Sequence, residues 1–336
     1  MTQAEILPGF PDALSAVPPK ARDYEGMTLD EAITRSHALV DEVCERYPAR
    51  HIVALFSGGN DSVVLTHLMR ERVTMAALID TTIRVQQTAG HVRAVTSAWG
   101  IELAEPSGPD SYRDLVCGRV RNLGGSRKGE VAWRGFPGPS QHGVFYQRLK
   151  ERALEELRRQ LVAPARRGRA GEVIYLAGMR WAESGRRFRN ASEIDPWGAV
   201  TWCSPLAHWT DGHLLEYRLR HRCAESHQHA VHRLCTPEAL PLNEVTVHLH
   251  LSGDCMCGAY AQEGEIFGLE LFYPDTAAEI HDIEAEARSC DIPGQWCTWG
   301  WGADSERPKP AGRLCSACRH PELDGQQAMF PAEVAQ

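Results

Sequence analysis

Between an apolar run, Ile52 to Phe56, and a resumption of helical spacing at Val64, Leu65, Leu68 and Met69, the chain carries the string Ser57-Gly58-Gly59-Asn60-Asp61-Ser62. Few short strings constrain a fold so tightly. Two glycines let the backbone approach a ligand closely, and the helix that follows opens with unpaired N–H groups and the positive end of its dipole. Such a strand–turn–helix unit is a ready anion site, to which the Ser57 and Ser62 hydroxyls add donors.

The flanking pattern supplies a frame for that turn. Thr28 with Glu31 forms a capping box, and Leu29, Ile33, Val40, Val43 and Tyr47 then mark a helix ending near Pro48. Met75 to Ile79 reads as a second strand leading to Asp80-Thr81-Thr82; Val85, Ala89, Val92, Val95 and Trp99 line a helical face, and Ile101 to Ala104 reads as a third strand. The Gly-, Pro- and Arg-rich stretch 106–142 reads as a long mobile loop. Phe145, Leu149, Leu154, Leu157 and Leu161 then space a helix, Arg166 to Gly171 a basic turn, and Val173 to Ala177 a buried strand. Strands alternating with helices predict an α/β fold, a parallel sheet with helices on both faces. Beyond Cys235 the pattern is irregular, with Trp296, Trp299 and Trp301 among glycines, which predicts a small Cys-rich C-terminal module held by something other than a large core. The 336 residues accordingly divide into a leader and helix (1–50), an α/β domain that carries the glycine turn (51–234) and the Cys-rich module (235–336).

Charge and cysteine are both segregated. Between Arg113 and Asn190 there are 18 Lys/Arg against 7 Asp/Glu, and from Cys235 onward 5 against 17, so a net charge of −8 conceals a basic half and an acidic half. The basic stretch suits a mouth for a phosphate-rich ligand, or a set of solvated helix faces. Of eleven cysteines, nine lie between Cys203 and Cys318. Cys255-Met-Cys257 and Cys315-Ser-Ala-Cys318 are two close pairs whose four thiolates suit structural Zn²⁺ or an iron–sulfur cluster, which spacing does not separate; Cys235, Cys290 or Cys297 could replace one of them. His227, His229 and His232 read as part of an exposed His-rich segment. No apolar stretch reaches the roughly 18 residues a membrane helix needs, no signal peptide is visible in the first twenty residues, and no nucleophile elbow supports a Ser–His–Asp hydrolase. The expected location is cytoplasmic.

The phosphate-type turn resembles the S-G-G-x-D-S pyrophosphate loop of the PP-loop ATP pyrophosphatases, in the superfamily that includes the phosphoadenosine phosphosulfate (PAPS) reductases. Three further segments resemble that superfamily in its order: Asp80-Thr81-Thr82, the D-T-G or D-T-T turn beside the adenosine; Gly178-Met179-Arg180-Trp181-Ala182-Glu183-Ser184-Gly185-Arg186-Arg187, its G-x-R-x-x-E-S-x-x-R segment; and Ser204 to Asp211, its P-I-x-x-W-t-d element. Together they cover about half the chain. Asn60 stands where many members have Lys, so Arg84, Arg180 or a metal ion would have to meet the pyrophosphate instead.

The resemblance implies ATP on residues 57–62 with Mg²⁺, Asp61 holding the metal or orienting the loop, Asp80, Thr81 and Thr82 beside the adenosine, and Gly178, Arg180, Arg186 and Arg187 as anion contacts organised by Glu183. Ser57, Asp61 and Arg180 are the expected catalytic set. With the Gly-Gly-x-Asp-Ser string intact, the resemblance implies cleavage of ATP between its α and β phosphates, adenylating an acceptor for sulfur transfer. Sulfur-transfer relatives, DNA phosphorothioation proteins among them, hold clusters on C-terminal cysteines, which favours a 4Fe-4S centre over zinc on Cys255, Cys257, Cys315 and Cys318. The implied partners are DNA or tRNA as acceptor and a sulfur donor such as a cysteine desulfurase. The alternatives are a sulfonucleotide reductase and a non-catalytic, nucleotide-regulated scaffold stapled by a metal.

Overall fold

The computed structural model describes residues 26–162, 172–183, 192–197, 200–221, 239–261, 264–290 and 292–301. Six strands, β1 (His51–Leu55), β2 (Met75–Ala77), β3 (Leu103–Ala104), β4 (Val173–Leu176), β5 (Ile194–Trp197) and β6 (Val200–Cys203), form one sheet in the order β3-β2-β1-β4-β6-β5. Every pairing is parallel except that of β5 with β6, which is antiparallel and puts Pro196, a residue with no N–H to give a ladder, on the sheet edge. The α/β expectation therefore holds.

Burial on both faces explains why the central strands read as unbroken apolar runs. Val173 and Tyr175 of β4 meet Leu154 and Leu157 of helix α6 (Arg152–Leu161) on one face. Ile174 and Leu176 point the other way, into a cluster with α1 (Leu29–Arg46), α2 (Asn60–Leu68) and α7 (Asp211–Arg220). Helix α1 begins where the capping box placed it: Thr28 N donates to Glu31 Oε2 at 2.7 Å, and Glu31 N to Thr28 Oγ1 at 3.3 Å. Helix α3 (Gln86–Ala98) packs Ala89, Val92 and Val95 on Phe56 and Leu78. Trp209, fully buried, joins α1 to the sheet and donates through Nε1 to Ser36 Oγ at 2.9 Å.

Three segments depart from the sequence reading. The stretch 106–142 is anchored: it contains α4 (Tyr112–Val116), and Tyr112, Leu115, Val116 and Phe136 are buried in a second core. The helix read from Phe145 onward starts as α5 (His142–Phe145), passes through a π turn (Tyr146–Glu151) and continues as α6. The pattern read as irregular beyond Cys235 is helical over much of its described part, as α8 (Glu244–Leu249), α9 (Glu265–Phe272) and α10 (Pro274–Ser289). Ala277, Ile280, Ile283 and Ala287 of α10 enter the same core as Tyr112 and Phe145, so hydrophobic burial holds this region against the rest. The boundary expected at 234/235, the basic turn 166–171, His227, His229, His232 and Cys235 lie outside the described residues, as does the leader up to residue 25. No helix among the described residues is long and apolar enough to cross a membrane.

One histidine of the first core ties stability to pH. Burial lowers the His208 imidazole below its ordinary 6.5, a shift opposed by its bond to the Ala32 carbonyl oxygen at 3.1 Å. Below 6.5 the unfolded chain therefore binds more protons than the folded one, so this contribution is full above that value and is lost as the pH falls through it. The melting temperature is expected to fall between pH 7 and pH 5.5, and His208→Gln to reduce that slope, as read by thermal denaturation across the pH series.

Candidate functional site

Strand order reverses between β1 and β4: from β1 the chain winds outward through β2 to β3, then crosses back to β4 on the other side of β1, where β6 pairs with β4 and β5, which precedes β6 in the chain, forms the edge. In open α/β sheets the crevice at the carboxyl ends of the strands beside such a reversal is where ligands bind. The turn leaving β1 is 57–59 and the turn leaving β4 begins at Ala177-Gly178. They touch. A Cβ on Gly178 would stand 3.1 Å from the carbonyl carbon of Asp61 and 3.2 Å from Ser62 N.

The turn itself is tightly bounded. Gly58 has φ +76°, and a Cβ there would lie 2.9 Å from Thr88 Cγ2 and 3.1 Å from Val92 Cγ2; one on Gly59 would lie 3.0 Å from Ser252 Cβ. Gly59 is the N-cap of α2 and offers no side chain to its first turn, so the leading N–H groups of that helix are directed at the crevice. Ser62 Oγ donates to Gly59 O at 2.9 Å and lies 3.1 Å from Ser57 Oγ. Ser62 thus braces the turn from a buried position, and Ser57 is the hydroxyl better placed to meet a ligand.

Asp61 and Arg180 come together, in roles that correct one expectation. Arg180 is 1% exposed; its Nε donates to Asp61 Oδ1 at 2.7 Å, and its Nη1 to Asp211 Oδ1 at 2.9 Å and to Trp209 O at 3.4 Å. A guanidinium so enclosed does not present its fork to an anion; it orients Asp61 and ties α2 to the start of α7. At Asn60 the structure places a different cation from those expected: Arg218 of α7 donates through Nη1 to Asn60 Oδ1. Sequence order gave no hint of this, since 158 residues separate the two. Arg84, the other expected substitute, is buried, with Nη2 3.5 Å from Glu105 and 3.8 Å from Asp80.

Asp80 to Thr82 forms a turn closed by Thr82 N donating to Asp80 Oδ1 at 2.9 Å. Thr82 has φ +59°, a left-handed conformation in which a β-branched residue is strained. The Tyr112 backbone N–H holds it there, donating to Thr82 Oγ1 at 2.7 Å. Glu183 lies in the short helical turn Trp181–Glu183, while Arg186 and Arg187 lie outside the described residues.

The segment 239–261 crosses both turns, an arrangement the sequence did not announce. Asn243, 3% exposed, donates through Nδ2 to Gly58 O at 3.0 Å, and Thr88 Oγ1 to Ser252 O at 2.6 Å. Val85 N donates to Gly253 O, Thr81 Oγ1 to Asp254 O and Met256 N to Ile83 O. Asn243→Leu would leave the Gly58 carbonyl buried without its donor, so a stability loss of about 1–3 kcal/mol is expected in urea titration. Asn243→Asp, which keeps the shape but loses the N–H, should cost at least as much.

This crossing segment brings the C-x-C pair beside the Asp80–Thr82 turn. Hydrogen bonding within the Cys255–Cys257 pair holds the Cys255 thiol below the ordinary cysteine range against the effect of burial, with the Lys150 ammonium helping. Cys257 is correspondingly raised. Lys150 is itself held by Asp254 at 2.8 Å, and Tyr112 OH donates to Cys257 O at 2.8 Å. Two thiols that share a proton suit a thiophilic ion. Cys315 and Cys318 lie outside the described residues, and among the described residues no group of three or more His, Cys, Asp or Glu is arranged to hold a metal.

Much of the basic stretch is engaged within the chain. Arg113 and Arg119 meet Glu286, Lys150 meets Asp254, Arg148 and Arg152 meet Asp110, and Arg158 meets Glu155. Three of these pairs join the basic half to the acidic half, which gives the charge segregation a structural role.

No protein-family model and no curated protein matches the chain. A solved structure that does match is the phosphoadenylyl-sulfate (PAPS) reductase of Candida auris in a phosphate complex, 15% identical, aligned over 58% of this chain and 87% of that one with a TM-score of 0.34. A likeness of that degree says nothing about chemistry.

Proposed function

We propose that the protein is an ATP pyrophosphatase that adenylates an acceptor for sulfur transfer. The observation that carries this reading is the meeting of two features at one crevice: a glycine turn and helix N-terminus at the strand-order reversal, and a thiol pair alongside it. The amides at the start of α2 would take the β and γ phosphates, with Ser57 as a further donor and the Arg218–Asn60 contact bringing a cation to the loop. Mg²⁺, when bound, would neutralise phosphate charge, and Asp61 Oδ2 is the carboxylate oxygen left for it once Arg180 holds Oδ1.

An acceptor oxygen attacks the α-phosphorus, the bond to the β-phosphate oxygen breaks and pyrophosphate leaves. A sulfide-level nucleophile then displaces AMP, taking the position of the oxygen that departs with it. The chain's own residues hold the phosphates in line and keep Asp61 oriented, a matter of positioning more than of bond-making by side chains. Cys255 and Cys257 would provide two ligands of a four-thiolate centre with Cys315 and Cys318, and an iron–sulfur cluster there would supply a sulfur-binding or redox function. Iron content measured by elemental analysis after anaerobic purification is expected to fall in Cys255→Ser.

Pyrophosphate release from ATP with Mg²⁺, suppressed by Ser57→Ala and Asp61→Ala, is the expected result. Sulfite released from a sulfonucleotide in the absence of ATP would favour a reductase instead, and nucleotide binding without turnover would favour a regulatory scaffold.

A further inference from the structure

Within the basic stretch, three cations that no ion pair engages among the described residues lie together. Arg121, Arg127 and Lys128 are exposed and make no ion pair among the described residues, unlike the arginines paired above. All three belong to one short antiparallel ribbon, 120–132, bridged at Arg121 and Val131. Asn122 N donates to Glu130 O at 2.9 Å, Gly129 N to Asn122 O at 2.8 Å and Ala132 N to Val120 O at 2.8 Å.

The root of the ribbon is fixed. Arg148, whose side chain is 6% exposed, donates through Nη2 to Asn122 Oδ1 at 2.6 Å and through Nη1 to Asp110 Oδ2 at 3.1 Å. Two residues beyond Asp110, Tyr112 holds the Asp80–Thr82 turn, so the ribbon projects from the candidate site's own framework. Its tip is free: Gly124, Gly125 and Ser126 are exposed, and Leu123 is 75% exposed.

We propose that ribbon 120–132 is a finger that enters the major groove of duplex DNA, with Arg121, Arg127 and Lys128 on phosphates and Leu123 against the base edges. The inference rests on the adenylating reading of the neighbouring site and names its acceptor class. A B-form major groove about 12 Å wide admits a two-stranded ribbon, whereas the major groove of A-form RNA is too narrow. An acidic protein is the poorer fit, because protein interfaces centre on buried aromatic anchors and the described tip offers none. Glu130 is the one carboxylate on the ribbon, and it sits at the root strand, away from the Gly124–Gly125 tip.

The test uses the full-length protein and a fluorescently labelled 20-base-pair DNA duplex, read by anisotropy over a salt series. The triple variant Arg121→Ala, Arg127→Ala, Lys128→Ala is expected to bind at least about tenfold more weakly, with the slope of log K against log salt reduced by about 2 to 3. Its melting temperature and its heat of ATP binding should match the parent, since the three side chains are exposed and belong to none of the turns that form the candidate site. Unchanged DNA affinity in the triple variant, or parent affinity for an RNA duplex or for polyglutamate equal to that for DNA, overturns the finger. DNA binding that depends on the ribbon in a protein showing no heat with ATP leaves the finger standing and removes the adenylating reading.

Discussion

Arg180→Met is expected to destabilise the fold by about 3–5 kcal/mol, the range typical of removing one partner from a buried ion pair. The guanidinium satisfies two carboxylates, Asp61 and Asp211, whose side chains are only 21% and 30% exposed, and it reaches the Trp209 carbonyl as well. Methionine fills the volume but leaves both charges without their counterion. The loss should therefore come mostly from the stranded carboxylates, a point that can be tested separately. Adding Asp61→Asn and Asp211→Asn to Arg180→Met should recover a large part of the stability in urea denaturation while leaving nucleotide affinity low. If the single variant melts with the parent, Arg180 does not organise the site.

Gly58→Ala is expected to weaken nucleotide binding by about a hundredfold or more. The alanine Cβ meets Thr88 Cγ2 at 2.9 Å, and Thr88 cannot swing aside because its hydroxyl is bonded to Ser252 O. In addition, φ +76° is a left-handed conformation that costs an L-residue about 1–2 kcal/mol. The turn must shift, and a displacement on the order of 1 Å is enough to cost that much in a site that works by positioning. Thr88→Ser removes the closest clashing methyl and keeps the hydroxyl, so Gly58→Ala with Thr88→Ser should regain the Thr88 share of the steric loss, leaving the 3.1 Å contact with Val92 Cγ2 and the whole conformational part. Calorimetric affinities of the three proteins separate the Thr88 share from the rest.

The parts of the fold and site legible in the sequence are those set by local pattern. The capping box at Thr28, the glycine turn after β1 and the Asp80–Thr82 turn each depend on residues within a few positions of one another. Where long-range contact decides, sequence failed in particular ways. The resemblance of residues 178–187 to a known segment makes Arg180 an expected anion contact, a role its fork chemistry suits; its burial between Asp61 and Asp211 is a tertiary fact. Arg218 and Asn243 carried no local signal, the first being an ordinary helix arginine and the second an ordinary N-cap. The helical spacing of Ala277, Ile280, Ile283 and Ala287 was present but lay among cysteines, glycines and tryptophans that suggested a metal-stapled module. The π turn at Tyr146–Glu151 breaks no periodicity visible over so few residues, yet it carries both Arg148 and Lys150 inward.

The central claim is that residues 57–62 grip the triphosphate of ATP, and titration calorimetry with ATP and Mg²⁺ tests it most directly. Saturable binding at one site, competed by inorganic pyrophosphate and weakened about a hundredfold or more in Gly58→Ala, is the predicted result. A parent protein that gives no heat with ATP, or a Gly58→Ala variant that binds it unimpaired, would contradict the account.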